Sequence, residues 1–179
     1  MARLFYYNVC IESGVEEDAK AFGTTVAHVL TLSGGWNRWG FSFVPVFPDD
    51  AGAQHMRQRM KQYMTIQLCS NATIARFGPD FEGMSVADCS HNFIRINVDR
   101  WHTGPKPAGS TMPLTDYRQY VILHEVGHVL SQCSPTHHQT ACAPDGRAPI
   151  MMQQTNGVGN CEWNPWPVAG VDDVEVQHW

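Results

Sequence analysis

The residues best suited to chemistry in this sequence are His124, Glu125 and His128, which stand in the run His124-Glu125-Val126-Gly127-His128. On a helix, positions i and i+4 lie one above the other, so two imidazoles at that spacing can close on one metal ion. Glu125 reaches a water beside such an ion but lies too far round the helix to compete as a ligand. Two nitrogen ligands and a third, with one position left open, suit Zn2+. Zinc lowers the pKa of a water in the open position, and a neighbouring carboxylate can accept its proton. The chemistry predicted is metal-assisted hydrolysis of an amide.

The plainer alternative is a buried helix that merely carries two histidines, and 9 His in the chain make a chance pair conceivable. The surroundings favour the metal. Residues 120–130 are apolar almost all round, as in a helix inside a core. Three ionisable groups there are costly unless something satisfies them, and a metal with its water does so. Asp116 and Gln119 form a capping start for this helix. Gly127 weakens it by about 1 kcal/mol relative to Ala, which fits a neighbour that approaches closely.

The elements that position this motif come earlier in the chain. Residues 3–11 are rich in aromatic and β-branched side chains and read as a strand. Ser13 and Glu16 open a helix running to about Leu32, with Val15, Ala19, Phe22, Val26 and Val29 on one stripe. Phe41 to Phe47 reads as a second strand, and Pro45 within it hints at a sheet edge or a bulge. Arg57, Arg59 and Lys61 read as a solvated basic face rather than a binding patch. Tyr63–Cys69 and Ala72–Phe77 read as two more strands, and Asn92–Val98 alternates with period two. That last strand directly precedes the motif, so its edge is a candidate for pairing with a substrate peptide. Residues 101–115 form a loop into the helix, and the chain after His138 is irregular, without repeats.

Composition sets the outer limits. A chain of 179 residues with 43% hydrophobic and 16% charged residues describes an ordinary folded protein with a real core. A net charge of -5 gives no electrostatic footprint for nucleic acid, and no apolar run approaches a membrane span. The six cysteines, Cys10, Cys69, Cys89, Cys133, Cys142 and Cys161, form no C-x-x-C pair. Disulfides in an exported protein fit them better than buried thiols, and the sequence does not choose the pairing. The N-terminal MARLFYYNVCIE has no charged segment followed by a long apolar core, so a leader trimmed from an extracellular protein is expected.

The motif belongs to a wider pattern. HEVGH at 124–128 is shared by zincins generally; metzincins add a glycine three residues on and a third His three beyond that, where this chain has Ser131 and Ser134. Taken with IRINVDRW (94–101), DYRQYV (116–121), APIMMQQT (148–155) and CEWNPWP (161–167), it resembles a domain family of unknown function. Members of that family are mostly exported or anchored actinobacterial proteins with metzincin-like motifs. The resemblance covers roughly the C-terminal half, with a fainter match at 15–32 and 41–46.

It implies a metzincin-like α+β fold: a mixed twisted sheet, a backing helix, an active-site helix and an irregular C-terminal subdomain from residue 131. It also implies disulfides Cys69–Cys89 and Cys142–Cys161, leaving Cys10 and Cys133 for a third bridge. In the family a His shortly precedes the counterpart of Cys142, which favours His138 over His137 as third ligand. Met151 is the implied residue of the methionine turn, a hydrophobic floor beneath the metal and not a ligand. No tyrosine follows it, so the zinc-binding tyrosine of some metzincins has no counterpart. Trp163 and Trp166 read as a structural plug, with a wall for substrate as the lesser alternative. The expectation is a single-domain, monomeric zinc endopeptidase with Glu125 as general base, acting on a protein or peptide. The rival readings are a zinc-binding module with little turnover and a zinc hydrolase of a non-peptide, cell-wall amide.

Overall fold

The computed structural model describes residues 3–47, 62–134 and 138–174, so Arg57, Arg59, Lys61 and His137 lie outside the described residues. Five strands form one mixed sheet: β1 (Arg3–Ile11), β2 (Phe41–Pro45), β3 (Tyr63–Cys69), β4 (Val86–Asp88) and β5 (Phe93–Asn97), in the order β2-β1-β3-β5-β4. All neighbours run parallel except β4, which is antiparallel to β5. Period-two alternation turns Phe5, Tyr7, Met64, Ile66, Leu68, Ile94 and Ile96 into the core. The register sets Ile66 beside Ile94 and Leu68 beside Ile96. Each fully buried aliphatic side chain contributes about 1.5–3 kcal/mol relative to exposure. Pro45 lies on β2, which pairs only with β1 among the described residues, where a missing N–H costs nothing.

Two helices pack on this sheet and on each other, α1 (Ala19–Thr31) and the longer one that carries the histidine motif. Phe22, Val26, Val29 and Leu30 are the buried stripe of α1. Its cap is Asp18 and not Ser13, because the Asp18 carboxylate accepts from the amides of Lys20 at 2.8 Å and Ala21 at 3.1 Å. Ala72–Phe77 is not a strand. A short helix, α2 (Asn71–Ala75), forms there instead, because the Ser70 hydroxyl accepts from the Thr73 amide. Glu12 strengthens that start by accepting from the Ser70 amide and the Thr73 hydroxyl.

The strand expected to reach Val98 stops at Asn97, whose buried side chain caps α3 (Val98–Thr103) by accepting from Asp99 and Arg100 amides. The motif helix, α4 (Leu114–Leu130), starts after Pro113 with no side-chain cap. Asp116 therefore sits within its first turn, where a negative charge suits the positive end of the helix dipole.

Beyond α4 the described chain is irregular, with a 3-10 turn at Gln154–Asn156 and the isolated bridges Gln139–Met152 and Arg147–Glu162. Cys142 and Cys161 form the disulfide that the resemblance implied. The other bridge differs: Cys89 pairs with Cys133, while Cys10 and Cys69 remain thiols. Strand order explains the difference. β5 lies between β3 and β4, and the registers set Cys69 level with Asn97 at one end of β5 and Cys89 past the Asp88–Phe93 pair at its other end, so the two are beyond disulfide reach. Cys10 on β1 is farther still from the β4 edge, where Cys133 is held. Cys69 is fully buried with Ile74 and Val86, and burial pushes its thiol up to about 12.

Candidate metal centre

α4 carries His124 and His128 one turn apart, and the loop after it returns His138 to them. The Nε2 atoms of His124 and His128 are 3.2 Å apart, and that of His138 is 3.1 Å from that of His128. The three ligand atoms all lie within 4.8 Å of one another. His124 Nδ1 is 2.7 Å from the Ile150 carbonyl oxygen, which can only accept, so Nδ1 carries the proton. The neutral ring then presents a bare lone pair at Nε2 toward its neighbours. Three ring nitrogens converging this closely suit a shared cation, with a carbonyl orienting the ligand behind it. The donor set fits zinc.

Glu125 borders the same cleft, which has a volume of about 420 Å³ and a wall of Phe81, Met84, Val86 and Ala87. The side chain is buried, and burial pushes its carboxyl up to about 8. No hydrogen bond from the described residues offsets that effect. β5 does not offer an edge to this cleft, because β3 and β4 pair with both its sides. That removes the docking role read for Asn92–Val98, and β4, too short to show in the alternation, takes the place beside the cleft.

Behind the histidines lies the turn at Pro149–Met152, closed by the Met152 amide donating to the Pro149 carbonyl at 3.0 Å. Met151 is fully buried. A Cβ added at Gly127 would stand 2.5 Å from Met151 Sδ and 2.7 Å from the Trp36 ring. Gly127 thus lets the turn and Trp36 reach the α4 backbone, and Trp36 Nε1 donates to the Leu123 carbonyl at 2.8 Å. From the side of α4, the Tyr120 hydroxyl donates to the Met152 carbonyl and accepts from the Gln154 amide.

A family match extends over residues 1–175, and the family is described as "Protein of unknown function (DUF3152)". The chain belongs to the DUF3152 family. No curated protein and no solved structure matches it. What this DUF3152 domain does must therefore be read from its own residues.

Several residues that serve the site gave no sign in the sequence. Asp172 is buried and accepts from the amides of Ile150 at 2.9 Å, Met151 at 3.1 Å and Val168 at 2.8 Å. Burial raises its pKa, partly offset by those three donors. Gln154 donates to the Pro149 and Asn164 carbonyls and accepts from the Asn164 amide, while Asn164 donates to Ala148 and Trp166 carbonyls. These bonds lock APIMMQQT to CEWNPWP. Trp166 closes over Gly34, where a Cβ would come within 2.6 Å of its ring. Asp172, Gln154 and Asn164 are single polar residues that act on backbone atoms, so neither periodicity nor composition signals them.

Just past α4, Gln132 and Cys133 adopt left-handed backbone angles, with φ of 54° and 52°. For non-glycine residues this costs about 1–2 kcal/mol each.

Proposed function

We propose that this protein is a zinc-dependent endopeptidase with a metzincin-like fold. The observation that carries the reading is the convergence of His124, His128 and His138 Nε2 beside a buried carboxyl that opens onto a cleft. The mixed sheet, the backing helix α1, the ligand helix α4 and the methionine turn support the metzincin-like architecture. Two disulfides are compatible with an extracellular setting, and among the described residues no helix is long and apolar enough to cross a membrane.

His124, His128 and His138 hold the ion, and Ile150 fixes the ring of the first. Zinc bound there would supply a Lewis acid for a peptide carbonyl and favour ionisation of water. Glu125 takes a proton from the attacking water and delivers it to the leaving amine. Burial raises its pKa, and a cation beside it would draw it back to the charged form. β4 pairs with β5 on one side, so an extended peptide can add along its other edge by main-chain hydrogen bonds. The apolar wall of Phe81, Met84 and Val86 favours a peptide with apolar side chains over a polar cell-wall glycan.

The test is metal content, then cleavage of a peptide library by the zinc-loaded protein. Zinc at one equivalent, with cleavage lost in Glu125→Ala while zinc is retained, supports the enzyme. Zinc without cleavage of any peptide makes the protein a binding module, and cleavage confined to peptidoglycan amides replaces the substrate class. Absence of bound zinc ends the reading.

A further inference from the structure

His138 lies beyond the end of α4 and is not held by that helix. It is an exposed loop residue five positions beyond Cys133, whereas His124 and His128 are fixed by their helix. We propose that the Cys89–Cys133 disulfide is the positioning element for the third metal ligand, holding the turn that leads from α4 to His138. The inference rests on the reading of the three histidines as a metal site.

Three observations meet at this bridge. First, Gln132 and Cys133 stand consecutively in the left-handed region, a conformation that neither side chain favours and that glycine would adopt freely. Helix capping accounts for part of the turn, through Gln132 N donating to Val129 O and Cys133 N donating to His128 O at 2.9 Å. A constraint on the Cys133 side chain supplies what the sequence of the turn lacks. Second, the bridge seats on the backbone of a ligand: Cys89 Sγ is 3.3 Å from the His128 carbonyl oxygen. That oxygen also accepts from the Ser131 hydroxyl at 3.1 Å. Oxidised sulfur has no proton to donate, so the Cys89 contact is packing. Third, the bridge ties the end of α4 to the cleft wall. Cys89 follows β4 directly, and Cys133 Sγ lies 3.8 Å from the Ala87 carbonyl oxygen.

On the far side of His138, the Gln139 amide donates to the Met151 carbonyl at 3.3 Å. The ligand loop is therefore anchored before and after the histidine: covalently at Cys133, and by the methionine turn at Gln139. Opening the bridge frees the first anchor and leaves His124 and His128 as a two-nitrogen site.

The experiment measures zinc affinity by competition with a chromophoric chelator, a readout independent of turnover. The proteins are the native chain, Cys89→Ser/Cys133→Ser, His138→Ala and the combination. Removing the bridge is expected to weaken zinc by about 10- to 100-fold, the range for groups that orient metal ligands. His138→Ala should then add much less in the bridgeless protein than in the native one, because both changes remove the same ligand. A folded bridgeless protein with native zinc affinity, or fully additive effects, overturns the proposal.

Should the double serine variant not fold, the native zinc-loaded protein is treated with a trialkylphosphine. That reagent reduces a disulfide to two thiols as it takes up the oxygen of water. Zinc release that accelerates in step with alkylation of Cys89 and Cys133 supports the inference, and unchanged release with both alkylated overturns it. A native protein that binds no zinc fails the function proposed above; native binding with an indifferent bridge fails this inference alone.

Discussion

The two parts of the molecule that meet at the histidines bury a carboxyl each, and treat it in opposite ways. Glu125, on the helix side, is buried at the border of the cleft with no hydrogen bond among the described residues to offset its burial. Asp172, on the turn side, is as deeply buried and accepts three backbone amides. A carboxylate with its acceptor capacity used is a structural strut; one buried at a cleft without donors is available to exchange a proton. The same contrast runs through the surrounding chain. The sheet and helices up to Leu130 supply most of the main apolar core, whereas the residues from His138 onward add to Ile150 and Met151 a dense set of directed polar bonds and a disulfide. Area tolerates substitution gradually, whereas a directed bond positions one atom.

The largest effect expected from this contrast concerns Glu125 in the metal-free protein. Its folded-state pKa of about 8 lies above the ordinary 4.5, so folding favours the protonated form. Stability from this group is fully present below about pH 4.5 and declines as pH rises toward 8. Glu125→Gln removes that loss, so the chelator-treated variant should melt well above the native chain near pH 8 and close to it near pH 5. Parallel melting curves at both pH values would show that water already reaches the carboxyl, and the contrast with Asp172 would disappear.

Next in size is a pair of substitutions, one in each region. Ile66→Ala, in the middle of the sheet, should cost about 4 kcal/mol of unfolding free energy and leave zinc affinity of the folded protein unchanged. Asp172→Ala should cost about 3 kcal/mol, because three buried amides lose their acceptor. It should also weaken zinc roughly tenfold, because the Ile150 carbonyl that orients His124 belongs to the turn those amides hold. Chemical denaturation and chelator competition on the same samples read both numbers. Equal zinc affinity in the two variants would erase the distinction between filling space and fixing position.

That distinction also explains what the sequence could reveal. β1, β3 and β5 were legible because period-two alternation is written in consecutive residues, and the HEVGH helix because its spacing carries its chemistry. The stretch at Ala72–Phe77 misled because Thr73, Ile74 and Phe77 look strand-like, while the cap from Ser70 and the support from Glu12 decide for a helix. The pairing of Cys89 was illegible for a topological reason: β4 is three residues long, and only its place at the sheet edge brings Cys89 to Cys133. Asp172, Gln154 and Asn164 act on backbone atoms remote in sequence, and a backbone partner leaves no residue type to recognise.

The smallest effect is expected at Gly127, where the two regions touch. Alanine there gains about 1 kcal/mol of helix propensity, but its methyl would press on Met151 Sδ and the Trp36 ring. Overpacking of this kind costs about 1–3 kcal/mol, so a net loss of about 1 kcal/mol is expected. Met151→Ala alone opens a cavity and costs about 2–5 kcal/mol. In Gly127→Ala/Met151→Ala the new methyl occupies part of the space that the thioether left, so the double variant should be more stable than the sum of the singles predicts. Melting curves of the four proteins measure that coupling. Additive losses would mean that the methionine turn and α4 move apart independently, and that Ile150 is free to leave His124 when they do.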